Sequence, residues 1–252
     1  MGTFLGKSSV RSRYAGTFAA VMVLLLASVA GAGSITFDTA AGSTVGGLPV
    51  SATATFVTGA DSLTISLTNL QDNPTGVAQN LSDLSFVLSG GETSGSLTSS
   101  SGLERTVAAD GTFTDGALVS TGWALETFGS GLRLHVLGTA IGPAHTIIGG
   151  PDGSNVYSNG NGSITGNGPH NPFLAGTVTF DLTVLGLTED STVTSVSFSF
   201  GTTEGNDVPG GCIDCTPRVP EPSAGTLFLI SGVLVAIATA RLRRSGTASQ
   251  RA

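Results

Sequence analysis

Between two apolar ends, the chain alternates. In "GTVTFDLTV", Val178, Phe180, Leu182 and Val184 take every second position, and Thr177, Thr179, Asp181 and Thr183 fill the others. A period of two sends successive side chains to opposite faces of an extended backbone, so this segment predicts a strand with one face in a core and one in water. The same rhythm runs through Ala52, Ala54 and Phe56, through Leu63, Ile65 and Leu67, through Leu84, Phe86 and Leu88, and through Leu132, Leu134 and Val136. In "TVTSVSFSF", Val193 falls out of phase with Val196, Phe198 and Phe200, which predicts a bulge near Thr194 or a late strand start. Turn formers separate these runs: Thr58-Gly59-Ala60-Asp61 predicts a hairpin, and residues 186–191 a connection to the last strand. Short half-buried strands without a helical stretch predict an all-β domain over residues 33–211, an antiparallel β-sandwich of jelly-roll type.

Residues 148–172, "IGGPDGSNVYSNGNGSITGNGPHNP", break the rhythm. Their Gly, Asn and Pro content predicts a long excursion loop with a short ribbon around residues 155–164, a place to look for binding. Asp152, Asn155 and Asn159 offer the oxygen ligands that calcium prefers, but no Asp-x-Asp-x-Asp-Gly array accompanies them, and no metal site is assigned.

The ends read differently. Residues 1–32 pass from a basic stretch with Lys7, Arg11 and Arg13, through "FAAVMVLLLASVA", to Ala30-Gly31-Ala32. That order builds a secretory signal helix. The leader orients positive-inside, and the small residues Ala30 and Ala32 admit signal peptidase, with cleavage expected after Ala32. The apolar core is short for a span of about 20 residues. Export through the Sec machinery follows. At the far end, residues 224–240 carry no charge and would form roughly 25 Å of helix at about 1.5 Å per residue, which predicts a C-terminal transmembrane helix. Arg241, Arg243 and Arg244 begin a basic tail over residues 241–252, held in the cytoplasm by the positive-inside bias.

With the ends set aside, charge becomes informative. Residues 33–219 hold 16 of the 17 acidic residues against Arg105, Arg133 and Arg218, a net −13. Phosphate binding needs clustered Lys and Arg, so nucleic acid is excluded as a partner. Lys7 is the sole lysine and leaves with the leader, which removes lysine-amine chemistry from the mature domain. Residues 212–223 read as a linker. Its Cys212 and Cys215 form a lone C-x-x-C, and in an exported chain they predict a local disulfide. Gly210, Gly211 and Pro217 flank the pair where a redox motif would need a helix N-terminus, and zinc would need four ligands.

Catalytic patterns are missing. His135, His145 and His170 are scattered, no G-x-S-x-G elbow surrounds a serine, and the carboxylates show no acid/base pair, so no catalytic residue and no cofactor are assigned. Sugar binding commonly uses a flat aromatic ring, and Trp123 and Tyr157 are the candidate ligand contacts. Asn80-Leu81-Ser82 and Asn161-Gly162-Ser163 match the glycosylation pattern.

Pro220-Glu221-Pro222, the apolar run behind it and the arginines at the end together resemble the PEP-CTERM sorting signal. The resemblance covers about 26 of 252 residues. It implies recognition by an exosortase, a membrane-embedded cysteine peptidase of Gram-negative bacteria. The tail would engage the inner membrane transiently and be removed there, with delivery to the cell surface or exopolysaccharide matrix. The expected role is that of a non-enzymatic surface or matrix protein associated with exopolysaccharide. A carbohydrate-binding or adhesive module is the alternative, and a secreted hydrolase with a dispersed site the third reading.

Overall fold

The protein is described by a computed structural model covering residues 33–165 and 170–215. In chain order the strands are β1 (Gly33–Thr39), β2 (Thr44–Val45), β3 (Leu48–Pro49), β4 (Ala52–Gly59), β5 (Ser62–Asn69), β6 (Leu81–Leu88) and β7 (Ser96–Val107). There follow β8 (Phe113–Val119), β9 (Ala124–Phe128), β10 (Gly131–His135), β11 (Ile147–Ile148), β12 (Phe173–Thr183), β13 (Val193–Phe200) and β14 (Asp207–Cys212). Helix is confined, among the described residues, to a 3₁₀ turn at Val77–Gln79 and a helical turn at Gly160–Ile164.

Strand pairing corrects the expected architecture. The order β12-β5-β4-β1-β14-β13-β6 is completed by β11, which pairs with both β6 and β12, so eight strands form a closed β-barrel and not a sandwich of two sheets. All pairings in the ring are antiparallel except β11 with β12. Two ribbons extend it: β7 and β8 from β12, and β10 and β9 from β6. Alternation tells which face of a strand is buried, but it is silent on whether the first and last strands meet. Here the closing strand is two isoleucines long, too short to show any period.

The expected C-terminal transmembrane helix is also not part of this fold: no helix among the described residues is long and apolar enough to cross a membrane. Residues 1–32, including the signal helix with Ala30 and Ala32, and residues 216–252, including Pro220, Glu221, Pro222, Arg241, Arg243 and Arg244, lie outside the described residues.

Side chains fill the barrel. Alternate residues of β4, β5, β6, β12 and β13 point inward, and Phe56, Phe86, Phe180 and Phe198 are fully buried among aliphatic neighbours. Phe56 contacts Phe37 edge-on at 6.0 Å and Phe86 at 5.4 Å between ring centroids, the offset geometry that aromatic quadrupoles favour. β4 and β5 pair from Ala52↔Asn69 to Gly59↔Ser62 around the expected hairpin, and the turn residue Asp61 has a positive φ of 52°. The ladder of β13 with β6 shifts between Val193 and Ser195, which locates the bulge at Thr194.

Residues 148–172 differ from the expected excursion. Tyr157 and Ile164 turn inward and join Val107, Ile148, Phe173 and Ala175 in a second apolar cluster, and residues 160–164 form a helical turn where a ribbon was expected. Asp152 Oδ1 accepts the backbone N–H groups of Ser154 and Val156, an Asx turn that closes the segment on itself. Gly, Asn and Pro signal turns without distinguishing a loose loop from a folded cap.

Candidate functional site

On the face of β6, β10 and β13 away from the core, polar residues stand in rows. Leu84, Phe86, Leu132, Leu134, Val196 and Phe198 point inward, so Asp83, Ser85, Arg133, His135, Ser195 and Ser197 face out. Cross-strand register then sets Glu126, Arg133, Ser85 and Ser197 side by side. The next row brings together His135, Asp83, Ser199 and Asp207. Serine is short, so where three serines replace longer side chains the surface sinks into an open groove of about 230 Å³. The Val87 side chain and the Phe86 backbone form its floor, Phe128 borders it, and Ser85, Ser195 and Ser197 rim it, with the Gly129-Ser130 turn at one end. No Cβ fits at Gly131, because it would run into the carbonyl oxygen of Phe86. Phe128 is 46% exposed, a large apolar ring on the surface.

Arg133 organises the surroundings. Its guanidinium lies 4.5 Å from the centre of the Phe128 ring, while Nε donates to Glu126 Oε1 at 2.7 Å and Nη1 stands 3.3 Å from Asp83 Oδ2. Such stacking adds about 0.5–1 kcal/mol at partly exposed sites and fixes the ring's orientation. Asp83 is buried, and burial pushes its carboxyl up to about 7 despite the pull of Arg133, with Asp207 adding repulsion. Its carboxyl accepts from Ser85 Oγ at 3.3 Å. Asp83 lies behind the serine rim and does not line the groove.

The aromatic candidates sit elsewhere. Trp123 is 5% exposed, tilted against Phe180 at 5.3 Å, and donates Nε1–H to the carbonyl of His145 at 2.9 Å. Tyr157 is 1% exposed; its hydroxyl donates to the Gly149 carbonyl at 2.8 Å and accepts from Arg105 Nη1 at 3.1 Å. Neither ring presents a face to solvent, and the two are not brought together. Arg105 repeats the device of Arg133, lying 3.9 Å from the Phe113 ring centre and gripping Asp115 at 2.6 and 2.8 Å. That grip holds the Asp115 carboxyl below its ordinary range, and burial pushes the Tyr157 hydroxyl up.

Other candidate positions resolve plainly. Cys212 and Cys215 are joined by a disulfide at the end of β14. Asn155 has a positive φ of 62°, and Asn159 Nδ2 donates to the Thr75 carbonyl at 2.6 Å, so with Asp152 the three serve turns and loop bonds. No group of three metal-ligating side chains occurs among the described residues. His135 Nδ1 pairs with the Leu137 carbonyl at 2.7 Å. His145 Nδ1 meets the Thr121 carbonyl at 2.9 Å, with Nε2 3.1 Å from Glu104 Oε1. Burial lowers the pKa of His170. Asn80 is fully buried, whereas Asn161 is exposed on the helical turn.

Sequence reasoning passed over Phe128, Arg133, Asp83 and Glu126. One signal was available: Phe128 precedes the Gly129-Ser130-Gly131 turn and falls in phase with Glu126 and Ala124, opposite to Leu125. The groove itself needs β6 and β13 as neighbours, which only the fold supplies.

Barrel and groove together define an all-β surface with an uncharged, hydroxyl-rimmed recess beside an exposed aromatic ring. Comparison with known proteins finds no match for this chain among family models, curated proteins or solved structures.

Proposed function

We propose that this is an exported, non-enzymatic surface or extracellular-matrix protein, sorted through its tail by an exosortase-type peptidase. The observation that carries the reading is the ordered tail: Pro220-Glu221-Pro222, the uncharged residues 224–240, then Arg241, Arg243 and Arg244. The barrel supports the reading from the other side. Its ring is complete between Gly33 and Cys212, so closure draws on no residue of either apolar end. Those ends are then available as signals for export and sorting. Retention among exopolysaccharides is the associated role.

The test is the intact mass of the protein from the extracellular fraction, in cells with and without the sorting peptidase. A mature species beginning at Gly33 and lacking Arg241, Arg243 and Arg244 is expected only where the peptidase is present. Equal masses in both strains overturn the sorting reading.

A further inference from the structure

We infer that the groove over β6 and β13 is a binding subsite for a polysaccharide of uncharged pyranose units, with Phe128 as the stacking platform and the serine hydroxyls as the polar rim. This deepens the surface-protein reading and rests on it for the setting, but its chemistry is local.

A pyranose ring presents axial C–H groups on a flat face and hydroxyls around its edge. The groove offers the matching pair of surfaces: an apolar one of Val87 and the Phe128 ring, and an edge of Ser85, Ser195 and Ser197. Phe128 is held before any ligand arrives, since the Arg133 guanidinium is stacked on it and is itself bound to Glu126 and Asp83. A ring already fixed loses little freedom on binding, which is where much of the cost of association lies. Ser85 Oγ donates to Asp83 and Ser197 Oγ to the Val208 carbonyl, which leaves the hydroxyls of Ser130 and Ser195 as the rim donors for a ligand.

Charge selects the occupant. No lining side chain is ionised, and the neighbouring cation, Arg133, is already shared between Glu126 and Asp83. A carboxylated or sulfated glycan would approach a segment of net −13 with no free arginine or lysine to meet it among the described residues, so acidic polymers are disfavoured. The size of the groove indicates an extended ligand. At about 230 Å³ it lies below the roughly 300–1,000 Å³ of pockets that engulf small molecules, so a chain would lie across it, seating one or two units at a time.

The experiment is affinity electrophoresis of the exported protein in gels containing a soluble neutral β-glucan, with alginate and partly deacetylated chitosan as acidic and basic comparators. Retardation is expected in the glucan gel and absent with alginate. Phe128→Ala should weaken glucan binding at least tenfold, and Ser195→Asp, which puts a charge on the rim, should do likewise. Both positions are exposed, so both variants should keep the wild-type circular dichroism, with Phe128→Ala lowering the melting temperature by only about 1–4 °C for the lost Arg133 stack. No retardation by the glucan overturns the proposal, as does retardation unchanged by Phe128→Ala. Retardation by chitosan alone, removed by salt and indifferent to Phe128→Ala, marks bulk charge and also overturns it. The sorting reading fails separately: its measure is the processed mass, which is independent of retardation.

Discussion

At Asp83, burial and an ion pair pull in opposite directions, and burial prevails. The carboxyl titrates near 7 in the folded protein and near 3.8 in the unfolded chain, so between those values the folded state holds a proton that the unfolded state has released. Its contribution to stability is therefore complete below about pH 4 and is lost as pH rises through about 7. At roughly 1.4 kcal/mol per pKa unit the full swing is on the order of 4 kcal/mol. Asp83→Asn keeps the shape and removes the titration, so the difference in unfolding free energy between variant and wild type should shift in the variant's favour by a few kcal/mol from pH 4 to pH 8. A difference that stays flat across that range would show that Asp83 does not keep its proton. Tyr157→Phe probes a second buried polar group. It leaves the Gly149 carbonyl and one Arg105 N–H without their partner, and should cost about 1–3 kcal/mol in chemical denaturation while leaving glycan retention unchanged. Equal loss of retention in this variant would move the binding site to the cap over residues 148–172.

Among the elements, the strands that the sequence revealed are those with a strong inward face. In β12, β13, β4, β5, β6 and β10 apolar residues recur at every second position, and the bulge at Thr194 could be read from a single broken phase. β7 and β8 gave no such signal. "SLTSSSGLERTV" and "FTDGALV" bury few side chains and are held by ladder bonds to their neighbours, an interaction that leaves no hydrophobic pattern. β11 was invisible for another reason: two residues carry no period, yet they close the barrel. Asn69 secures that seam, donating Nδ2 to the carbonyls of Ile147 at 2.9 Å and Gln79 at 2.8 Å, and accepting from the Gln71 N–H at 3.0 Å. Asn69→Ala strips two buried bonds and a third that is partly buried, and should destabilise by about 2–4 kcal/mol. Hydrogen exchange should accelerate first at the Leu174 amide, which bonds to the Thr146 carbonyl beside β11. Uniform acceleration throughout the barrel would show the seam to be no weaker than the rest. The groove was illegible for the same reason as the closure, since a row of outward serines becomes a recess only when β6 lies between β10 and β13.

For the whole molecule, the pairing of β1 with β14 joins the first and last described strands, so the ring of paired strands closes within residues 33–215. A fragment spanning those residues should fold alone and unfold in one cooperative transition, because the strands of the ring and the large buried cluster they enclose are contained in it. The Cys212–Cys215 bridge is a late fastening on that ring. It closes a loop of only four residues, for which loss of unfolded-state entropy gives about 2 kcal/mol or less. Register with β1 from Phe37↔Cys212 to Thr39↔Gly210 already holds β14 in place. Replacing both cysteines by serine in the fragment should therefore lower the unfolding free energy by no more than about 2 kcal/mol and preserve the single transition. Two separated transitions, or a fragment that binds hydrophobic dyes and lacks near-ultraviolet dichroism, would mean that the barrel needs the terminal segments as part of its body. In that case the apolar ends could not be free to act as export and sorting signals, and the proposed function would fail with the fold that supports it.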